Sequence, residues 1–182
     1  MNSPFYSKQD MDSASGEVSV SLGGLVAVLV FGVACLGFHW LGPEGWFPVL
    51  DSANLALHEA GHPLVGIFSE RATVYGGTLF QLVFPLAAAG HFYRAANASG
   101  VAASLVWLGE NLFNIARYMA DARAQVLPLV GGGEHDWATL FGRWGCLGSD
   151  LAIAHATRAV GWLVVLGAWA WLAWRFGRGR RV

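Results

Sequence analysis

The sequence predicts an all-α integral membrane protein, a bundle of about five transmembrane helices. Three observations lead there. Of 182 residues, 55% are hydrophobic and only 13% are charged, against about 25% charged in a soluble domain. The apolar residues fall in runs long enough to cross a bilayer, separated by short polar or Gly/Pro-containing breaks. Nine Trp and 24 Gly suit membrane helices, which tolerate Gly inside and place Trp at interfaces. Mean hydropathy is +0.46. A net charge of −1 offers nothing to a nucleic acid, so lipid is the partner the composition supports. Cys35 and Cys146 have neither metal-ligand nor redox spacing and read as small apolar residues.

Residues 1–17 are polar, with Lys8 set against Asp10, Asp12 and Glu17, and read as a disordered N-terminal tail. One polytopic membrane domain, 18–176, follows. From Val18 to Pro43 there is no formal charge, which gives a first span over 18–42. A short turn leads to a second span over 50–68, where Asp51 or Ser52 can cap the helix. Asp51, Asn54, His58 and His62 recur at helical spacing and form a polar stripe along it. In lipid such a stripe must face protein or a water-filled cavity. Ser69-Glu70-Arg71 is a polar break. Gly76 and Gly77, between β-prone residues, then suggest a tight hairpin or re-entrant loop. That loop, with Gln81, is a candidate edge for pairing with an extended substrate, the alternative being an ordinary turn.

The third span runs over 79–94, carries Gln81 and Pro85, and ends at Arg94. The fourth runs over 101–126 and stops before Pro128. Its Asn111, Asn114, Tyr118, Asp121 and Gln125 share one face. Residues 128–150 read as a long loop with Glu134, His135 and Asp136 clustered after three glycines. The fifth span covers 151–174, and a basic tail, 177–182, follows. Arg175, Arg178, Arg180 and Arg181 place the C-terminus of this multi-pass protein on the cytoplasmic side.

The chemistry concentrates in His58-Glu59-Ala60-Gly61-His62. Two histidines four apart sit one helical turn apart on the same face, close enough to hold one metal ion. Neutral imidazole is a good zinc ligand, and a catalytic zinc keeps three protein ligands and one open position. Glu59 points about 100° around the helix, beside the open position rather than at the metal, where it can act as a general base. The polar face of the fourth helix is the natural source of a third ligand. Asp121 is the candidate, since a carboxylate completes a zinc site well. The alternative leaves Asp121 paired with Arg117 or Arg123. Asn111, Asn114 and His135 are candidate oxyanion donors, and His135 or Asp136 an alternative ligand.

On the strength of these residues the chain resembles the site-2 protease family of intramembrane zinc metalloproteases. That family carries H-E-x-x-H on one span and an aspartate ligand two spans further on, matched here by His58, Glu59, His62 and Asp121 over roughly residues 50–125. The aspartate stands in Ala120-Asp121-Ala122 where the family has L-D-G. The resemblance implies zinc-dependent hydrolysis of a peptide bond in or near the membrane, in a peptide or membrane-protein substrate. The same ligands without hydrolysis would make a membrane metal carrier or sensor, and satisfied polar groups without metal a scaffold.

Overall fold

The computed structural model describes residues 20–41, 46–130 and 134–180. They form six α-helices: α1 (Leu22–Leu41), α2 (Pro48–Gly66), α3 (Thr73–Arg94), α4 (Ala98–Ala120), α5 (Asp136–Arg143) and α6 (Asp150–Arg178). Single 3₁₀ turns at Glu70–Ala72 and Leu147–Ser149 lead into α3 and α6, and the described residues contain no strand. The 1–17 tail and the end of the basic tail lie outside the described residues. Cys35 and Cys146 are free thiols.

The helices begin where local chemistry allows. Pro48 opens α2 at its first position, where its missing N–H costs nothing. Asp51 Oδ2 accepts the N–H of Phe47 at 2.6 Å. Asn97 caps α4 by accepting from Gly100 N at 2.8 Å. The three-residue connection from α3 to α4 makes those two helices antiparallel neighbours.

α4 is the axis of the bundle. It packs most extensively on α6, then on α3 and α1. Phe113, Val106 and Ala102 on α4 meet Val28 and Cys35 of α1 and Val165, Ala168 and Leu172 of α6 in one buried core. Arg123 closes the far end, donating from Nη2 and Nε to the two oxygens of Asp150 at 2.7 and 2.8 Å. That fork ties the end of α4 to the start of α6. Arg123 therefore belongs to Asp150, not to Asp121.

α2 packs mainly on α3. Here Gly76 and Gly77 correct the expected hairpin. They lie within the first turns of α3, which runs unbroken from Thr73 to Arg94. A Cβ at Gly76 would strike the carbonyl of Gly61, and one at Gly61 the carbonyl of Gly76. The pair lets two helix backbones touch instead of reversing the chain. A helix also satisfies every backbone group at this depth, which overrides the β-prone composition of 72–78.

Among the described residues, three helical segments are long and apolar enough to cross a membrane: Leu22–Leu41, Glu70–Arg94 and Leu147–Arg178, with mean hydropathies of 2.2, 1.3 and 1.5. Their outward faces carry exposed Val30, Val33, Leu79, Phe84 and Leu163. α2 and α4 have 19 and 23 residues, about 29 and 35 Å at a rise of 1.5 Å per residue. Their polar stripes set them apart from the other three.

Candidate metal centre

The stripe on α2 is real. Asp51, Asn54 and His58 are buried, and His62 is half-buried one turn further on. Each imidazole is held by its Nδ1. His58 Nδ1 faces Gln81 Oε1 at 3.1 Å and His62 Nδ1 faces the backbone oxygen of Thr73 at 3.0 Å. A carbonyl oxygen only accepts, so Nδ1 of His62 carries the proton, and the same follows for His58 opposite the Gln81 oxygen. Both Nε2 atoms are left facing inward. A Cβ at Gly77 would overlap the His58 ring, so the bare backbone of α3 is what gives that ring its place.

What the two Nε2 atoms face is a carboxylate. Asp136 Oδ2 lies 3.0 Å from His58 Nε2 and 3.4 Å from His62 Nε2. The three donor atoms fall within 4.8 Å of one another. Asp136 is buried, and the two imidazoles are its side-chain partners. Burial pushes the Asp136 carboxyl up, but the two imidazoles outweigh it and hold it below the usual carboxylate range. These contacts are attractive when a proton sits on an imidazole facing Asp136, or when a metal ion takes the place of that proton. Ligands about 2.0–2.1 Å from a tetrahedral zinc stand about 3.3 Å apart, and the two measured separations bracket that value. The residues fit a metal ion, held by His58, His62 and Asp136.

Asp136 reaches this place through α5. His135 caps the helix, its Nδ1 accepting from Ala138 N at 3.2 Å. Tyr118 Oη accepts from Asp136 N at 3.1 Å, and its ring lies against His135 with centroids 4.1 Å apart. Eight residues are too few for an independent helix. The fold of α5 comes from Trp137, Leu140 and Phe141, which are buried against Ile115, Met119, Ala122 and Ala154. At roughly 1.5–3 kcal/mol per buried large side chain, those three contribute several kcal/mol.

Asp121, the expected third ligand, does not join the histidines. It follows the last residue of α4, and its carboxylate accepts from Val126 N and Leu127 N at 3.0 and 3.1 Å. It turns the chain there and faces His135 Nε2 at 3.4 Å. Burial lowers the pKa of His135 while Asp121 opposes that shift. His135 is a cap, outside the metal cluster.

The expected oxyanion donors are also placed elsewhere. Asn111 is buried, donating weakly to Asn54 Oδ1 and to the Trp107 carbonyl. Asn114 donates to Asp51 Oδ1 at 2.7 Å and to Glu110. Gln81, expected at a substrate edge, orients His58, and Gly76 and Gly77 seat α2. Tyr118 was visible in sequence only as a member of the α4 stripe. Its hydroxyl accepts from Asp136 N and keeps its own proton to donate.

A cleft of ≈ 710 Å³ opens beside the cluster. His58, Glu59, His62, Tyr118 and Asp136 line it, with Asp51, Asn54 and Asn114 further along. α2 and α4 have few close backbone contacts, and long polar side chains bridge the gap between them. Glu59, half-buried, lies on the cleft wall and not among the three converging atoms. No protein-family model, curated protein or solved structure matches the chain, and the likeness to site-2 proteases is left resting on residues 58–62 alone.

Proposed function

We propose that the chain is a membrane-embedded, zinc-dependent peptidase that hydrolyses a peptide bond in or near the bilayer. The observation that carries this reading is the convergence of two imidazole nitrogens and a buried carboxylate oxygen beside a cleft walled by Glu59. Three protein donors next to an open space suit a catalytic rather than a structural zinc. All five long helices cross the membrane in this reading, and the arginines after Trp174 stay on the cytoplasmic side.

Zinc held here would polarise a carbonyl and make water a better nucleophile near neutral pH. Glu59 takes a proton from the attacking water as its oxygen adds to the peptide carbonyl. The same carboxyl returns that proton to the leaving nitrogen as the C–N bond breaks. Tyr118 donates its hydroxyl proton toward the carbonyl oxygen as negative charge gathers there. Gln81 and the Thr73 carbonyl hold the two imidazoles in the tautomer that binds metal. The test is Glu59→Gln, which keeps size and removes the base. It should bind zinc normally and cleave single-span substrates in membranes roughly 100-fold or more slowly. Cleavage at the wild-type rate would rule out Glu59 as the base.

A second reading, a metal carrier or sensor, draws on the polar lining that continues from His62 to Asp51 along one wall. Zinc binding by both proteins with cleavage by neither would favour it.

A further inference from the structure

Two buried acids are not used in this chemistry. Asp51 on α2 and Glu110 on α4 are 2% and 3% exposed. A single amide nitrogen, Asn114 Nδ2, donates to both, reaching Asp51 Oδ1 at 2.7 Å and Glu110 Oε1. Their other oxygens accept from Phe47 N at 2.6 Å and Asn54 Nδ2 at 2.8 Å. The nitrogen they share brings Asp51 Oδ1 and Glu110 Oε1 together across Asn114. Among the described residues, no Lys, Arg or His nitrogen lies within 4.0 Å of either.

We infer that Asp51 and Glu110 form a proton-binding pair, holding one proton between them in the bundle and exchanging it with the cleft that carries His58 and Glu59. Two buried carboxylates on one amide nitrogen, with no cation against them among the described residues, do not both stay ionised. Both protonated is equally disfavoured, because the amide N–H donors of Phe47, Asn54 and Asn114 favour charge on the acceptors. One proton per pair is the state that satisfies the donors.

A second feature points the same way. Asn111 is 0% exposed and reaches Asn54 Oδ1 through its nitrogen, yet its own Oδ1 has no partner. The network thus keeps one buried acceptor without a donor, beside the pair. Asp51, Asn54 and Asn114 all line the cleft, which gives the proton a way out. The charge of the pair is felt by Cys35 and His39 of α1, and Arg117 and Arg158 act on His39 as well. The step breaks and makes only O–H bonds. It is independent of whether a metal binds at His58, so its failure and that of the peptidase reading are separable.

The test is infrared spectroscopy of the full chain at neutral pH in H₂O and D₂O. Wild type should show the carbonyl stretch of a protonated carboxylic acid, shifted in D₂O. Asp51→Asn and Glu110→Gln should each lose that band, and the double variant must. Absence of the band in wild type, or a band indifferent to D₂O, overturns the proposal without needing any variant to fold. A band kept by either single variant assigns the proton to one carboxyl alone and overturns the sharing.

Discussion

Replacing Gly77 by Ala tests the geometry of the centre without touching a ligand. Gly-to-Ala inside a helix ordinarily stabilises by about 0.5–1 kcal/mol, because Ala loses less backbone entropy. At Gly77 the new methyl would overlap the His58 ring at Cε1, Nε2 and Nδ1. The ring cannot swing away freely, since Gln81 holds its Nδ1 at 3.1 Å. Overpacking of this kind costs about 1–3 kcal/mol, so the usual gain is cancelled or reversed. Disturbing the support of a metal-binding imidazole lowers affinity by about 10–100-fold. Gly90, in the same helix, has nothing within 4 Å of an added Cβ and is the control. The assay is zinc competition against a chelator, with thermal unfolding in detergent alongside. Gly77→Ala should lose at least about tenfold in zinc affinity, and Gly90→Ala none. Equal affinity in both would refute the placement of His58 against α3.

The third ligand separates two aspartates. Asp136→Asn should lose most of the zinc, whereas Asp121→Asn should keep it and lower stability by weakening the hydrogen bonds to Val126 N and Leu127 N; zinc titration and thermal unfolding read the two effects. Phe141→Ala, at a fully buried site, should cost about 3–5 kcal/mol and lower zinc occupancy as α5 loosens. Occupancy unchanged in a destabilised protein would show that α5 does not hold the ligand. Tyr118→Phe should retain zinc and slow cleavage by roughly 100–1,000-fold, as followed by product formation in membranes.

Much of the centre was legible because it is local. The spacing of Asp51, Asn54, His58 and His62 alone puts them on one face of one helix, and the structure buries that face. The five long helices were legible from run length, with ends displaced where Pro48 and Asn97 set the start, whereas α5 lies in the stretch 128–150 that reads as a loop. The third ligand was not legible. Asp121 shares a face with Asn111 and Asn114 only if the helix continues, and α4 ends one residue before it. Asp136 comes to the histidines through docking of Trp137, Leu140 and Phe141, a tertiary event that spacing along the chain does not encode. Gly76 and Gly77 misled for a similar reason. Two glycines between β-prone residues read as a turn, whereas their actual partner is Gly61, fifteen or sixteen positions away. Of the asparagines on the α4 stripe, Asn114 lines the cleft and Asn111 is fully buried. Their partners are Asp51, Asn54 and Glu110, not a reacting carbonyl.

The central claim is that His58, His62 and Asp136 hold one metal ion, and the most direct measurement is metal content per chain. Detergent-purified wild type should carry about one zinc, with His58→Ala and Asp136→Asn each losing most of it while remaining folded. A metal-free wild type under zinc-replete conditions, or full zinc retention in both folded variants, would contradict it.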